Sequence, residues 1–316
     1  MLVQDLLIAS VSVPRAQLET VAQVYQETFG WQLRWAGQLD PALAASWGVD
    51  PPARRVLLLG PAGEQRGLVR LIEGESPPPS PLATFGWSAL EITVRDCDAL
   101  AERLRHSPHF RVNGEPADLR FSSDPPGQRA MQAVGPAGEQ LYLTQILRQA
   151  PGRELAVPPA GAEVGCVFIA VLATPDYAAT SAFYIRVLGY ELYLETMAAL
   201  KVARRELQLP EGTPFRLGAL RPLGETRIEL DGYPPGVGAP RQCHPGELPP
   251  GFALVTLAVT DLDAALAAAA VHGHAPLAPP VALPDPPYAG RWSATLRGGT
   301  GELVELVGAR SRPGVP

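Results

Sequence analysis

The sequence predicts an α+β protein built from four copies of one unit, a strand and a helix followed by about three strands. Three internal similarities carry this prediction. A helix exit at residues 25–33 (Tyr-x-x-x-Phe-Gly-Trp-x-Leu) returns at 184–192, a strand with following acids at 89–100 returns at 254–265, and Gly-Pro-Ala-Gly-Glu-Gln at 60–65 recurs at 135–140. Repetition on this scale identifies a repeated structural unit.

Local patterns justify each element of the unit. Residues 17–28 have the apolar spacing of a helix, and Gly30 and Gly189 occupy the positions where a helix end needs a left-handed residue. Asp96 and Asp261 mark later helix starts, where acidic side chains oppose the helix dipole. The units begin near residues 6, 87, 166 and 252.

The closing strand of the last unit, residues 298–307, follows a glycine turn. Val304 and Leu306 are expected on one face of the strand, and Leu303, Glu305 and Val307 on the other. The first half of the chain closes on an image of this strand at residues 135–143, where Tyr142 replaces the glutamate.

Domain boundaries follow from grouping consecutive units. We predict one domain over residues 1–149, a linker rich in Pro, Gly and Ala over 150–163, and a second domain over 164–310. Residues 311–316 are expected to form a disordered tail.

Composition excludes several functional classes. The net charge is −6 with a pI near 5.5, and no basic cluster is dense enough for nucleic acid. The three cysteines contain no C-x-x-C pair, which predicts reduced thiols rather than disulfides or a thiolate zinc site. The start of the sequence lacks the pattern of a signal peptide, and no apolar run could span a membrane. These features predict a cytoplasmic protein, and a single lysine, Lys201, among many Arg, Ala, Pro and Gly residues is typical of a bacterial source.

Four βαβββ units in this order resemble the vicinal-oxygen-chelate superfamily, which includes glyoxalases, bleomycin-resistance proteins and extradiol dioxygenases. The shared marks are the Val-Pro step at 13–14, the helix exit at 188–192 and the closing strand at 301–305. The resemblance covers roughly residues 6–307. It implies that the units pair into two tandem half-open barrel domains, each with a concave face that binds a small molecule.

Metal-using members of this superfamily bind their ion through a histidine on the first strand and a glutamate on the closing strand. The corresponding first-strand positions here are Ile8, Ala89, Ile169 and Leu254, and the closing-strand positions are Arg70, Tyr142, Glu229 and Glu305. Imidazole is absent from all of these positions, so we expect no metal and no other cofactor. The alternative is a divalent metal at Glu305 with further oxygen ligands.

Strand parity places the remaining candidates. In the N-terminal cleft Arg70, Glu91 and Tyr142 are expected together, beside Ser10 and Ser12, either contacting a polar ligand or forming an internal Arg70–Glu91 salt bridge. Trp47 lies in the loop-like stretch 43–52 and either stacks on a flat ligand or covers the barrel rim.

The C-terminal cleft is expected to hold Glu229 opposite Glu305. Two facing acids can raise one pKa and create a general base. The interpretation we favour is a vestigial ligand pair that is either hydrated or neutralised by Arg227.

Two functions remain open. The first is a metal-free, bleomycin-resistance-like protein that binds a small aromatic or polar molecule, as a monomer or homodimer, with no nucleic-acid or membrane partner. The second is an enzyme of the same superfamily, a lyase, isomerase or dioxygenase relative, with Glu305, Glu229 or Tyr142 as catalytic candidates.

Overall fold

The structure, a computed structural model, describes residues 2–50, 53–77, 80–119, 127–149, 155–222, 227–283, 287–288 and 290–311. It confirms the α+β class and the four repeated units. Each unit opens with a long strand and a helix, and its remaining strands follow.

The elements of the four units are as follows. The first contains β1 (Val3–Val13), α1 (Leu18–Phe29), β2 (Gln32–Gln38), α2 (Pro41–Ser46), β3 (Arg55–Gly60) and β4 (Leu68–Glu73). The second contains β5 (Gly86–Val94), α3 (Cys97–Arg105), β6 (Arg111–Leu119), β7 (Gln128–Val134) and β8 (Gln140–Ile146). The third contains β9 (Val164–Thr174), α4 (Tyr177–Ala182), β10 (Glu191–Ala198), α5 (Lys201–Glu206), β11 (Phe215–Arg221) and β12 (Arg227–Gly232). The fourth contains β13 (Phe252–Asp261), α6 (Leu262–Val271), β14 (Val281–Ala282), β15 (Trp292–Arg297) and β16 (Leu303–Ala309).

The predicted helix boundaries are confirmed. Gly30 has φ 70° and its N–H donates to the Gln26 carbonyl, while Gly189 has φ 75° after the single π-helical turn Phe183–Val187 that extends α4. A side chain with a Cβ is strained at these dihedrals, so glycine suits both positions.

Aspartate caps α3, α4 and α6 in the same way. The carboxylates of Asp96, Asp176 and Asp261 each accept a hydrogen bond from the N–H three residues later, at 2.9, 2.9 and 3.1 Å. Each cap satisfies an N–H that the helix itself leaves without a partner.

Replacing Asp96 with alanine is expected to lower the free energy of unfolding by about 1 kcal/mol, because the N–H of Ala99 loses its acceptor. Urea denaturation followed by circular dichroism measures the loss. Asp96→Asn, which keeps a capping oxygen, is the matched control and should stay within a few tenths of a kcal/mol of the wild type. Equal stability of the alanine and asparagine variants would contradict the capping role.

The strands form two eight-stranded sheets. The first sheet has the order β14-β15-β16-β13-β1-β4-β3-β2, and the second has the order β10-β11-β12-β9-β5-β8-β7-β6. β1 and β13 pair antiparallel at the centre of the first sheet, and β5 and β9 pair in the same way in the second.

This strand order differs from the expected grouping of consecutive units. The first sheet joins the first and fourth units, and the second joins the second and third, so each sheet takes strands from both sides of residues 150–163. Sequence repeats identify equivalent units but contain no information on which first strands hydrogen-bond. The middle units are instead joined by a docked connection, in which Arg95 donates to the carbonyls of Pro159 and Ala162 at 2.8 Å.

The two faces of each sheet have different roles. One face, with the helices, forms a hydrophobic core that extends through both sheets and includes Val304 and Leu306. Leu303 and Val307 belong to a separate cluster on the opposite, concave face, as the alternation in the closing strand predicts.

The concave face of the first sheet is covered by α2 and the residues after it. The prediction of a loop over 43–52 is wrong for its first part, since α2 extends to Ser46. Asp40 starts this helix by accepting from the N–H groups of Ala42 and Leu43, and Pro41 supplies a preset φ. α2 packs with Leu254 and Leu303 in the concave cluster.

Among the described residues, no helix has the length and apolar character needed to cross a membrane. Of the predicted tail, residues 312–316 lie outside the described part of the chain.

Candidate functional site

The candidate residues divide between the two sheets. Arg70, Trp47 and Glu305 meet on the concave face of the first sheet. Glu91, Tyr142 and Glu229 belong to β5, β8 and β12 of the second sheet.

Two predicted pairings are therefore wrong. Arg70 pairs with Glu305 rather than with Glu91, and Glu305 lies in a different sheet from Glu229. Both errors have one cause, the joining of the first unit to the fourth. Arg227 was predicted to neutralise the two glutamates, but its side chain lies outside the described part of the structure.

Glu305 lies at the centre of the first concave face and is fully buried. Its carboxylate accepts from Ser293 Oγ at 2.8 Å, Arg70 Nη2 at 3.0 Å and Tyr288 Oη at 3.0 Å. Thr256 Oγ1 also donates to it, and Trp47 Nε1 lies 3.3 Å from Oε1. These five donors satisfy both oxygens of the buried carboxylate.

The Arg70 guanidinium is also fixed by several hydrogen bonds. Its Nε donates to Ser10 Oγ at 2.8 Å and its Nη2 to Thr256 Oγ1 at 3.2 Å, and Nη1 also contacts Tyr288 Oη. The guanidinium carbon lies 4.6 Å from the centre of the Trp47 ring. The adjoining cavity has a volume of about 50 Å³, which leaves no space for an organic ligand.

These contacts distinguish between the two interpretations of Trp47. Its side chain is 1% exposed and packs over Arg70, so it covers the concave face instead of offering a free stacking surface. Sequence reasoning missed Tyr288 and Ser293. The alternation of side chains along β15 could have placed Ser293 on the concave face. Tyr288 lies in a Pro-rich segment that has no periodic pattern.

The first concave face does not fit the metal centre of the superfamily. The four equivalent positions hold Ile8, Arg70, Leu254 and Glu305. Of these four side chains only the Glu305 carboxylate can bind a metal ion, and it already contacts the Arg70 guanidinium. A positive charge in contact with Glu305 opposes a divalent ion electrostatically, and two aliphatic side chains supply no ligand atoms.

The second concave face holds a different polar set. Glu91 on β5 is paired in register with Tyr142 on β8 and accepts from Thr144 Oγ1 at 2.5 Å. Glu229 and Asp231 are two residues apart on β12, so both side chains point to this concave face. Apolar Ile169, Val171 and Leu155 surround the acids.

Burial and mutual repulsion raise the pKa values of these acids. The pKa of Glu229 lies well above its ordinary range because of burial and then the charges of Asp231 and Glu91. Burial, followed by the charge of Glu91, raises the pKa of Asp231 to about 7. Burial also raises the pKa of Tyr142, which makes its phenol a poor base at neutral pH.

Asp231, which the sequence analysis missed, is the least satisfied of these groups. It is fully buried, and no N–H or hydroxyl O–H of the described residues donates to either of its oxygens. A proton on Glu229 would supply such a donor, so the two side chains form an acid pair that can hold and share a proton. Its signal in the sequence was its position two residues after Glu229 on one strand.

The second face does not fit the superfamily metal site either. Its equivalent positions are Ala89, Tyr142, Ile169 and Glu229, which supply one carboxylate and no imidazole. In the part of the chain that the structure describes, no three His, Cys, Asp or Glu side chains converge as metal ligands. The expectation that the protein needs no metal remains a prediction.

A larger cleft of about 650 Å³, here named the junction cleft, lies where β5, β13 and β16 begin. Its walls include Phe85, Trp87 and Phe252, and its polar lining includes Arg241 and Arg297. None of these residues was a candidate from the sequence.

Comparisons with known proteins agree with this architecture. Residues 167–306 match the family model described as Glyoxalase/Bleomycin resistance protein/Dioxygenase superfamily. Glyoxalase I from Zea mays aligns at 18% identity over 96% of this chain and 92% of its own, with a TM-score of 0.63. A protein from Bacillus subtilis, provisionally named a dioxygenase, aligns at 15% identity over 98% of this chain and 86% of its own, with a TM-score of 0.61. A search of curated proteins gives no significant match.

Proposed function

We propose that the protein binds a small polar organic molecule without a metal centre. Residues 167–306 match the Glyoxalase/Bleomycin resistance protein/Dioxygenase superfamily model, and the fold aligns with that of glyoxalase I over 96% of the chain, which supports this proposal. The site we assign is the concave face of the second sheet, with Glu91, Tyr142, Glu229 and Asp231 facing the ligand. The first concave face has an internal role in this proposal.

One observation carries this choice. Asp231 is buried, and no N–H or hydroxyl group of the described residues donates to it. Burying a polar group without a hydrogen-bond partner costs free energy. In the first sheet, by contrast, every oxygen of Glu305 is already satisfied. Protonated Glu229 can donate to one oxygen of Asp231, and a ligand that carries an amine or hydroxyl group supplies a donor for the other.

A second candidate function rests on the same acids. An aspartate with a pKa of about 7 beside a proton-holding glutamate matches what a general base needs at neutral pH. Asp231 would accept a proton from carbon or oxygen of the bound molecule, and Glu229 would return one. Of the catalytic candidates from the sequence, only Glu229 has a role in this second function. Glu305 forms an ion pair with Arg70, and burial raises the pKa of Tyr142, so its phenol stays protonated.

A thermal-shift screen of amines, amino alcohols, aromatic metabolites and antibiotics, with protein stripped by a chelator, tests the proposal. We expect at least one stabilising compound whose affinity falls about tenfold or more in Asp231→Asn and Glu229→Gln, since hydrogen bonds to a charged group contribute roughly 1.5–3 kcal/mol. Calorimetric titration of wild type and variants measures the change.

Glu195→Gln, on the exposed part of β10 in the same sheet, is the matched control and should bind like the wild type. Loss of all ligand stabilisation after chelation, with recovery on adding a divalent metal, would contradict the metal-free proposal. Proton exchange or turnover of the bound compound that stops in Asp231→Asn would select the enzyme over the binding protein.

A further inference from the structure

The junction cleft has the size and wall chemistry of a small-molecule site and lies outside both concave faces. Its volume of about 650 Å³ is within the usual range for ligand pockets. Trp87 and Phe252 contact each other with ring centres 5.6 Å apart, and Trp87 Nε1 donates to the Leu303 carbonyl at 2.9 Å. The aromatic wall is therefore fixed by contacts that join the two sheets.

The charges in this cleft are unbalanced. Arg241 donates to the carbonyls of Trp87 at 2.7 Å and Phe252 at 2.8 Å and to Thr84 Oγ1 at 3.1 Å, all of them neutral acceptors. Among the residues that the structure describes, Arg297 donates only to the Gly301 carbonyl, at 3.2 Å. Within the described residues neither guanidinium forms an ion pair with a carboxylate.

The acids that line the cleft are already engaged. Glu247 pairs with Arg54 at 2.6 Å. Glu302 is buried and accepts from Tyr184 Oη at 2.7 Å and from the Thr300 N–H at 2.9 Å. Burial also raises the pKa of Glu302, which favours its neutral form.

We propose that the junction cleft binds a small organic anion, a carboxylate attached to an aromatic or other flat apolar body. Arg297 contacts the carboxylate, and Arg241 contributes positive potential from a fixed position. The body lies against Phe85, the cleft-lining aromatic ring that is partly exposed, while the buried rings of Trp87 and Phe252 support the wall from behind. Arginine is suited to this task because its planar fork matches a carboxylate. The inference is independent of the proposed function, since the two sites share no residue.

Cys243 provides a reporter within the cleft. It is the exposed cysteine, whereas Cys97 and Cys166 are buried, and it lines the same cavity as Arg241 and Arg297. A ligand between these side chains shields the Cys243 thiol from a neutral alkylating reagent.

The experiment uses naphthoate and two matched probes, the neutral naphthyl alcohol and the cationic naphthylmethylamine. We expect naphthoate to bind at least about tenfold more tightly than either by calorimetric titration and to slow alkylation of Cys243, measured by mass spectrometry. Arg297→Gln should weaken naphthoate binding by about tenfold and remove the protection of Cys243.

Arg103→Gln, an exposed arginine on α3 away from the cleft, is the matched control and should leave binding unchanged. Circular dichroism confirms that both variants fold, and Arg297 is suited to replacement because its side chain is exposed. Equal affinity for naphthoate and the alcohol, unchanged affinity of Arg297→Gln, or binding without protection of Cys243 would each overturn the proposal.

Discussion

Replacing Arg70 with methionine is expected to lower the free energy of unfolding by about 3–5 kcal/mol. The substitution keeps much of the apolar volume but leaves the carboxylate of Glu305 buried without its positive partner. Ser293, Tyr288 and Thr256 still donate to that carboxylate, but neutral donors compensate a buried charge less well than a guanidinium does. Urea denaturation at neutral pH measures the loss.

The double variant Arg70→Met/Glu305→Gln provides the test of mechanism. Removing both charges removes the cost of an isolated buried ion, so the double variant should be more stable than Arg70→Met alone. The exposed pair of Arg105 and Glu102 on α3 is the matched control, and Arg105→Met should lower stability much less than Arg70→Met does, because water solvates both charges of this pair. A loss in Arg70→Met as small as in this control would refute the central role of the pair.

A glutamate between the sheets is expected to make stability fall as pH rises. Burial raises the pKa of Glu139 to about 8 from an ordinary value of 4.5. Above pH 4.5 the unfolded chain releases this proton while the folded protein keeps it, so each increase in pH favours unfolding until about pH 8. The contribution over this window amounts to up to about 5 kcal/mol.

Glu139→Gln should remove this part of the pH dependence. The amide oxygen can still accept from Tyr25 Oη, the bond that links α1 of the first unit to the turn before β8 in the second sheet. We expect the variant to gain stability relative to the wild type steadily from pH 5 to pH 8, as measured by urea denaturation at each pH. Other buried acids titrate in both proteins and cancel in the difference.

Glu211→Gln, an exposed glutamate, is the matched control and should give a difference that stays constant with pH. A constant difference for Glu139→Gln as well would mean that Glu139 is ionised in the folded protein throughout this range, contrary to the effect of its burial.

The repeated pattern was sufficient to predict the units of this protein because it is a local property. The glycines at 30 and 189 and the aspartates at 96 and 261 act on backbone groups within a few residues, so their roles could be read directly from the sequence. The same holds for the alternation of Leu303, Val304 and Glu305 in the closing strand.

The composition of each site depended on contacts that the pattern does not encode. Arg70 and Glu305 are 235 residues apart and meet only because β1 pairs with β13. Tyr288 reaches them from an irregular segment, and the junction cleft exists only where strands of both sheets begin. A sequence search for residues with metal-ligand chemistry had no reason to select Arg241 or Arg297.

The sequence by itself therefore determined the α+β class, the four βαβββ units, the helix ends at Gly30, Gly189, Asp96 and Asp261, and the alternation of side chains between the two faces of the closing strand. The tertiary structure decided which units share a sheet, and with it which charges become neighbours. The physical reason is that strand alternation and capping arise within a few residues, whereas the pairing of first strands is a choice between equivalent hydrogen-bonding edges that only the packing of the whole chain resolves.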